Sequence, residues 1–552
     1  MPRKSAGRGR LALAALSTAS ALFGGANAAL IQKPGLKLPA GAAANAKLVK
    51  NAFSSAFNDY KTYAWGHDDL APVSKSYVDS RNGWGATIVD AMTTIQIMGL
   101  TADLEAALNF TAHIDFSTSH TSDSISLFET NIRYLGGMLS TYELTGKTNK
   151  ALLEKAVYLG NKLAYAWVGN NTVPYNTLDF STDVPSPGVN NVAQAGTLVL
   201  EFSRLSLYSG NNTYKELAEK AMTTIATLPG PLPGLPAQDI DPSTNEWTDD
   251  YITWGGGTDS YLEYLIKYGR LTNNANPLWV ETWKQAVDTS IKYLMVNGSV
   301  GGHLYLADYT GGQKRYIGSH LECFVAGNWI MGGRMLNNDT IVNYGLKLVD
   351  SCINTYQSDV TGIGPEVFAY MGSDGGNYTG GPNPSASDLA FYNQHGFYIY
   401  DGYSYYDLRP EVLESNFYAW RATGDIKYQN NAIAAMHALF NNTKAPLAYA
   451  PINDVSELNS GFIDNTESFF FAEVMKYLYL TFDDPNHISL DEWVFNTECH
   501  PFLAPAPLSD YNPSKKSTAT STGFHTKSAA PAAISPNSKL PKQLGSIYQG
   551  FQ

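Results

Sequence analysis

The sequence predicts an all-α protein in which paired helices close into a ring around a central cavity. Apolar residues recur at three-to-four spacing in several stretches, for example over residues 151–166, 214–228 and 281–295. Turns that mostly contain glycine separate such helices at intervals of roughly sixty residues, which suits helical hairpins better than short solenoid repeats. Seven turns predict seven hairpins, and an irregular helical domain with chance glycine turns is the alternative. The turns fall near Gly99, Gly146, Gly210, Gly269, Gly333, Gly424 and Asp483.

The two ends of the chain differ in composition from this helical middle. Residues 1–28 have a basic start, a short apolar run and a small-residue cleavage site, which together predict a signal peptide rather than a retained anchor. Residues 29–48 are an N-terminal segment that is a candidate for processing. Residues 49–503 are the folded domain. Residues 504–552 are rich in Ser, Thr, Pro and Ala, which predicts a flexible tail.

Composition excludes some functions and favours others. The net charge is −13 and only 16% of residues are charged, so no basic surface for nucleic acid is expected. The 35 tyrosines and 10 tryptophans supply flat faces on which sugars stack. We expect a monomer that is secreted or lumenal and makes no membrane contact once the signal is removed. Candidate N-glycosylation sites are Asn109, Asn170, Asn211, Asn297, Asn338, Asn377 and Asn441.

Three cysteines in an oxidising compartment allow one disulfide and leave one thiol. Cys323 and Cys352 have the separation of a helical hairpin and are the expected pair, with two buried free thiols as the alternative. Cys499 is then the odd cysteine. The absence of a CxxC pair makes a zinc site improbable.

Carboxylates embedded in apolar, helix-like sequence are the strongest functional signal. Ionised carboxyl groups rarely lie in such surroundings unless they are paired, bind a cation or perform chemistry. Each pair at helical spacing, taken alone, would be a structural ion pair or a solvated face. Their recurrence beside Phe and Leu predicts an acidic pocket instead. The residues are Glu129, Asp259, Glu411, Glu414, Glu467 and Glu473.

Several classes of enzyme are excluded by the missing motifs. No HExxH, GxSxG or Walker sequence is present, so zinc hydrolase, serine hydrolase and nucleotide hydrolase are poor interpretations. Buried acids in an acidic, aromatic-rich, secreted protein favour glycoside hydrolysis, which needs one protonated carboxyl group and one carboxylate. Thr497 and Glu498 lie in NTE, a weak string that fits either a turn or the oxygen ligands of a hard cation.

Seven ordered motifs within roughly residues 50–503 resemble one known family, the class I α-1,2-mannosidases of glycoside hydrolase family 47, and its secreted fungal branch in particular. The motifs are VDAMTTIQIMGL from Val89, FETNIRYLGG from Phe128, GGGTDSYLEYLIKYG from Gly255, HLECFVAGNWIMGG from His320, RPEVLESNFYAWRATGD from Arg409, TESFFFAEVMKYLYLTF from Thr466 and VFNTECHP from Val494.

This resemblance implies an (αα)7 barrel over residues 49–503. It also implies calcium-dependent, inverting removal of terminal α-1,2-linked mannose from high-mannose N-linked oligosaccharides and glycoproteins, and a Cys323–Cys352 disulfide. Glu129 and Asp259 match positions of acid catalysis, Glu411 the base, and Thr497 the direct Ca²⁺ ligand. Positions around the ion and the terminal sugar are matched by Arg133, Arg409, Glu414, Glu467, Phe469, Glu473 and Glu498.

The chain departs from the family pattern at a few positions. Gly257 replaces an arginine that restricts which mannose is cut, which implies broader trimming. Cys499 replaces a small residue beside the implied ion, which suggests sensitivity to oxidation. A catalytically weak, lectin-like relative that sorts glycoproteins is the alternative function. Its mark would be a damaged acid and base set, and that set is intact here.

Overall fold

The computed structural model describes residues 28–512, and it is built mainly from α-helices. The predicted amphipathic stretches lie in three of these helices: α6, α9 and α11. The helices are α1 Ala42–Tyr63, α2 Ala86–Ile97, α3 Thr101–Ala112, α4 Leu127–Glu129, α5 Gly136–Leu144, α6 Lys150–Leu163, α7 Val192–Gly196, α8 Val199–Ser209, α9 Thr213–Thr227, α10 Asp259–Leu271, α11 Leu278–Tyr293, α12 Phe324–Met335, α13 Asp339–Ser358, α14 Ala386–His395, α15 Glu411–Thr423, α16 Ile426–Asn442 and α17 Met475–Phe482.

The long helices pack in consecutive pairs: α2 with α3, α5 with α6, α8 with α9, α10 with α11, α12 with α13, and α15 with α16. Helix α17 packs against α1, which joins the two ends of the domain. The first helices of successive pairs also contact one another in chain order. They are buried nearly all round, as in α10, whereas the second helices bury one face, as in α9. The all-α prediction therefore fits, with an inner and an outer set of helices.

Within residues 28–512 strands are more numerous than the sequence indicated, but none is longer than three residues. They form seven small antiparallel sheets in the connections between helices, where they shape the ends of the loops. The strands are β1 Asp69–Ala71, β2 Ser76–Val78, β3 Ile125–Ser126, β4 Thr177–Asp179, β5 Val184–Ser186, β6 Asn190–Asn191, β7 Asp239–Asp241, β8 Glu246–Trp247, β9 Met295–Asn297, β10 Leu304–Leu306, β11 Asp308–Thr310, β12 Gln313–Arg315, β13 Ile317–Ser319, β14 Val367–Ala369, β15 Tyr398–Ile399, β16 Trp493–Phe495 and β17 Pro501–Leu503.

Two of the expected glycine turns are displaced. Gly269 and Gly333 lie inside α10 and α12, where a β-carbon would come within 2.5 Å of Val280 and 2.7 Å of Val342, respectively. These glycines allow the paired helices to approach closely. Asparagines with positive φ, including Asn337 at 49°, make the turns that follow instead.

The ends of the described chain pack on the helical domain. Helix α1 begins at Ala42, before the expected boundary at residue 49, and Ile31 is buried. At the other end, Tyr511 is fully buried and its hydroxyl donates to Asn273 at 2.7 Å. The described chain thus packs on the helical domain beyond residue 504. The predicted signal peptide, except for its last residue, and the tail beyond residue 512 lie outside the described residues. Within residues 28–512 no helix has the length and apolarity needed to cross a membrane.

The cysteine prediction is confirmed. Cys323 and Cys352 form a disulfide that ties the start of α12 to α13, and Cys499 is a buried free thiol. Six of the seven candidate glycosylation asparagines are exposed. Asn338 is half-buried, and its side-chain oxygen caps α13 by accepting from the Thr340 and Ile341 backbone N–H groups.

Candidate active site

A cavity of 760 Å³ contains most of the acids that the sequence singled out. Ten of the eleven predicted catalytic, metal and substrate-binding residues line it. Glu467 is the exception, and it accepts from Arg81 at 3.3 Å behind the cavity wall. The ten residues are Glu129, Arg133, Asp259, Arg409, Glu411, Glu414, Phe469, Glu473, Thr497 and Glu498.

Two π-helical turns shape the wall of this cavity. One covers Thr130–Leu135, directly after Glu129, and contains Arg133. The other covers Phe470–Val474 and contains Glu473. A π-turn inserts one extra residue into a helix and so re-aims the side chains around it, and such turns are frequent at functional sites.

Glu129 is held as an anion by two arginines. Its Oε2 accepts from Arg133 Nε at 2.6 Å and lies 3.5 Å from Arg81 Nε. Burial alone would raise the pKa of Glu129, but the charges of Arg133 and Arg81 outweigh it and lower the pKa to about 2. Glu129 is therefore ionised throughout the physiological range.

Asp259 has the opposite electrostatic environment. It is the first residue of α10, and its Oδ1 accepts from the Ser260 backbone N–H at 2.8 Å. Burial raises the pKa of Asp259 to about 7, and the negative charges of Glu263 and Glu411 add to the increase. Asp259 thus carries a proton under mildly acidic conditions.

Glu411, the first residue of α15, is oriented by a histidine. His320 Nδ1 lies 2.7 Å from Glu411 Oε2, and His320 Nε2 lies 2.7 Å from the Tyr356 hydroxyl. An ionised carboxylate only accepts, so Nδ1 carries the histidine proton and the Tyr356 hydroxyl donates to Nε2. Arg409 is fixed separately, since its Nε donates to Glu366 at 2.6 Å.

Three further carboxyl groups, those of Glu414, Glu473 and Glu498, lie near one another in the cavity. Burial raises the pKa of Glu414 to about 8 against the lowering charge of Lys267. Burial, followed by the charges of Glu498 and Glu411, raises the pKa of Glu473 well above its usual range. Mutual repulsion of this kind is relieved by a bound cation.

The donor atoms beside these carboxyl groups suit a hard cation. Glu498 Oε2 is buried without a hydrogen-bond partner, although Oε1 of the same carboxyl group lies 3.3 Å from Arg133. Thr497, next in the chain, lines the cavity and offers hydroxyl and carbonyl oxygens. Among residues 28–512 no three His, Cys, Asp or Glu side chains are arranged to hold a metal by themselves. An ion here would need Thr497 and water in its coordination sphere.

Two guanidinium groups lie close to the aromatic ring of Phe469. The central carbons of Arg133 and Arg409 lie 5.5 Å and 5.8 Å from its centroid. These cation–π contacts fix the ring against the cavity.

Sequence reasoning missed several residues that hold the site together. Arg81 links Glu129 to Glu467, yet it lies in a loop with no motif around it. Asp90 is fully buried and accepts from Ser468 and from His500 Nε2, which lies 3.0 Å away. The signal available for Asp90 was that it is the one charged residue of α2. His320 and His500 belong to no metal-binding spacing, so no sequence pattern marked them.

Comparison with known proteins adds independent information. The model of glycosyl hydrolase family 47 matches residues 52–504. The chain belongs to this glycosidase family. It is 39% identical over 487 residues to a probable mannosyl-oligosaccharide α-1,2-mannosidase 1B of Aspergillus clavatus, which covers 83% of this chain and 93% of the relative. It is also 39% identical over 480 residues to a mannosyl-oligosaccharide α-1,2-mannosidase of Coccidioides posadasii, at 83% and 90% coverage. The solved α-1,2-mannosidase from Trichoderma reesei superposes with a TM-score of 0.81 at 37% identity, covering 84% and 99% of the two chains.

The structure revises one expectation for this family 47 chain. Cys499 is fully buried and adopts a left-handed conformation, with φ at 57°. Burial raises the pKa of its thiol to about 12. The thiolate is the reactive form, so sensitivity to oxidation at Cys499 is not expected.

The Glu129 ion pairs predict a pH-dependent contribution to stability. Because the pKa of Glu129 is lowered from 4.5 to about 2, its contribution is present above pH 4.5 and is lost as the pH falls toward 2. Glu129→Gln should lower the free energy of unfolding by about 3 kcal/mol near pH 6, and by progressively less below pH 4.5. Denaturant unfolding at several pH values measures this. The exposed Glu105→Gln is the control, and a difference that does not vary with pH would contradict the assignment.

Proposed function

We propose that this chain removes terminal α-1,2-linked mannose from high-mannose oligosaccharides by hydrolysis with inversion. One observation carries the proposal: the cavity holds a carboxyl group that is protonated up to about pH 7, Asp259, together with a histidine-oriented carboxylate, Glu411. Inverting glycosidases need this division between acid and base. The names of the Aspergillus and Coccidioides relatives support mannose as the sugar.

We further propose that the helices form an (αα)7 barrel. The consecutive pairing of long helices supports this arrangement, as do the contacts between the first helices of successive pairs. The turn Phe470–Val474, which precedes α17, contacts α2, so the chain of contacts returns to its start. The cavity then lies at one end of the inner ring, where the connections between helices supply its rim.

In the proposed reaction Asp259 donates its proton to the glycosidic oxygen as the bond to the anomeric carbon breaks. Glu411 takes a proton from a water molecule, whose oxygen attacks the anomeric carbon from the opposite face. The products are mannose of inverted configuration and an oligosaccharide with a free hydroxyl. Glu129, also a candidate acid, is ionised by its arginines, so we assign it to fixing Arg133 and to stabilising positive charge in the transition state.

The remaining predicted residues are assigned to sugar binding. Phe469 offers an apolar ring face to the terminal mannose. Arg133 and Arg409 hold that ring and supply N–H donors, and Glu414 and Glu473 accept from sugar hydroxyl groups. Glu467 acts indirectly, by holding Arg81.

We assign Ca²⁺ to the side of the cavity that carries the three mutually repelling carboxyl groups, with Thr497 as its direct ligand. Glu498, Glu473 and Glu414 would surround the ion, mostly through water. The ion would supply positive charge that orders sugar hydroxyl groups and polarises water. The partnerless Glu498 Oε2 supports this assignment, as does the mutual repulsion of the carboxyl groups.

We also retain the expectations for cellular context as proposals. They are a secreted or lumenal monomer, glycosylated at exposed asparagines, that acts on oligosaccharides and glycoproteins. Gly257 supports broad trimming, because the wall of the cavity carries no side chain at that position.

The proposal is tested by mannose release from a high-mannose oligosaccharide. Wild-type chain should release free mannose, and proton NMR of the first product should show the anomer inverted relative to the substrate. Glu411→Gln should lower kcat at least a hundredfold, since the base is lost while the fold is kept. The exposed Glu457→Gln serves as the control. Near-wild-type turnover by Glu411→Gln would refute the base assignment, and a retained anomer would refute inversion.

The protonation of Asp259 predicts how activity depends on pH. The group must be protonated to donate, and its pKa is about 7, so kcat/KM should fall about tenfold per pH unit above that value. Asp259→Asn should remove this alkaline limb from the residual activity, and the exposed Asp401→Asn should keep it. If Glu129→Gln removed the limb instead, the role of donor would pass to Glu129.

The calcium assignment predicts one Ca²⁺ per chain by elemental analysis. Chelation should abolish mannose release, and added Ca²⁺ should restore it. Chelation should also lower the free energy of unfolding by about 3 kcal/mol relative to protein in free Ca²⁺ at one hundred times Kd. Thr497→Ala should lose most of this dependence. Metal-free protein with full activity under chelation would contradict the assignment.

A further inference from the structure

A second pair of buried acids lines the cavity and has no part in the reaction described above. Asp308 and Glu322 are 6% and 8% exposed, respectively, and both line the cavity. Within residues 28–512 the Glu322 carboxyl group has a hydrogen bond from the Ser319 backbone but none from a side chain. A β-carbon added at Gly318 would lie 3.3 Å from its Oε2. Burial, followed by the charge of Asp308, raises the pKa of Glu322 well above its usual range. Buried acids that face an open cavity in this way are ready to bind a polar ligand.

The pair lies on the wall between the elements that carry the proposed acid and base. Asp308 begins β11, where the next residue, Tyr309, pairs with Ile252 in the segment that leads to Asp259. Glu322 follows His320, the orienting partner of Glu411, by two residues.

The pair is nevertheless electrostatically separate from the catalytic set. The neighbouring charge that raises the pKa of Glu322 is that of Asp308. The charges that raise the pKa of Asp259 are those of Glu263 and Glu411. Asp308 lies in a short strand and Glu322 in a 3₁₀ turn of the connections, whereas Asp259 and Glu411 begin helices α10 and α15. The pair thus belongs to the part of the cavity wall that the connections form.

The surroundings of the pair favour a sugar over a cation. The Tyr251 hydroxyl donates to Asp308 Oδ2, and Tyr251 also lines the cavity. Arg315 Nη1 donates to the same hydroxyl at 3.0 Å. Burial raises the pKa of Asp308 to about 6, and the positive charge of Arg315 opposes this increase. The Asp308 carboxyl group already accepts hydrogen bonds from Tyr251 and Thr253, whereas Glu498 Oε2 at the proposed calcium site has no partner. Carboxyl groups beside a tyrosine suit hydroxyl groups, which both donate and accept.

We propose that Asp308, Glu322 and Tyr251 form a subsite that binds the hydroxyl groups of a mannose unit beyond the two that flank the cleaved bond. This subsite rests on the proposed mannosidase function and explains how the enzyme would prefer long, branched oligosaccharides over a disaccharide. The cavity volume of 760 Å³ is within the range that holds ligands much larger than a single sugar.

The test compares two substrates, α-1,2-linked mannobiose and a high-mannose oligosaccharide, in the calcium-loaded full chain. Glu322→Gln and Asp308→Asn should each lower kcat/KM for the oligosaccharide about tenfold, mainly through KM, because each variant loses one strong hydrogen bond. The value for mannobiose should stay within about twofold of wild type. Glu457→Gln and Asp401→Asn, which alter exposed acids, should leave both values unchanged.

Unchanged mannobiose turnover also shows that a variant has folded. Equal losses on both substrates would overturn the subsite, since they would indicate a structural or catalytic role. Unchanged kinetics on both substrates would overturn it as well. Wild-type chain that releases mannose from neither substrate would overturn the proposed function and the subsite with it. Failure of the subsite alone is recognised by a wild-type enzyme that cleaves both.

Discussion

A single buried guanidinium group, that of Arg133, connects parts of the chain that are far apart in sequence. It contacts Glu129 in its own helix, Asp90 in α2, Ser468 before α17 and Glu498 near the end of the domain. A buried cation of this kind is costly unless all its donors are satisfied, and removing one partner leaves a charge exposed to a low dielectric. The positions of Glu129 and Glu498 in the cavity follow from this arrangement, because the segments that carry them meet at Arg133.

Arginine charges and burial act in opposite directions on the acids of the cavity. Near the arginines Glu129 is an anion, whereas farther away burial and mutual repulsion leave Asp259 protonated. One fold thus maintains carboxyl groups of contrasting protonation within a single cavity. General acid and base chemistry at one pH requires such a contrast.

Local patterns predicted the helical class and singled out six acids, five of which line the cavity. The family resemblance, not a local pattern, supplied Arg409, Phe469 and Thr497. Apolar periodicity located helices such as α6 and α9, and acids among apolar residues marked Glu411 and Glu473. The residues that form hydrogen bonds with these acids could not be predicted in this way. His320 orients Glu411 across 91 positions in the chain, and Arg81 reaches Glu467 across 386. Contacts at such separations are determined by tertiary packing, which the spacing of residues along the sequence does not reveal.

Turn chemistry explains the remaining differences. Glycine was expected to end the helices near residues 269 and 333, but there it permits close contact between helices, and asparagines end them instead. Asparagine tolerates a left-handed conformation through local hydrogen bonds, so both residue types satisfy the same backbone requirement. Whether a position needs glycine for close helix contact depends on the neighbouring helix, which the local sequence does not specify.

The π-helical turn over Thr130–Leu135 has a consequence for how this chain can diverge. Its extra residue keeps Arg133 facing the cavity although Glu129 lies one turn earlier in the same helix. Deleting one residue there would restore ordinary helical geometry and rotate everything beyond it by about 100° relative to Glu129. Similar residues can replace one another in this turn during evolution, but an insertion or deletion would disrupt the active site. Its length is therefore more constrained than its composition.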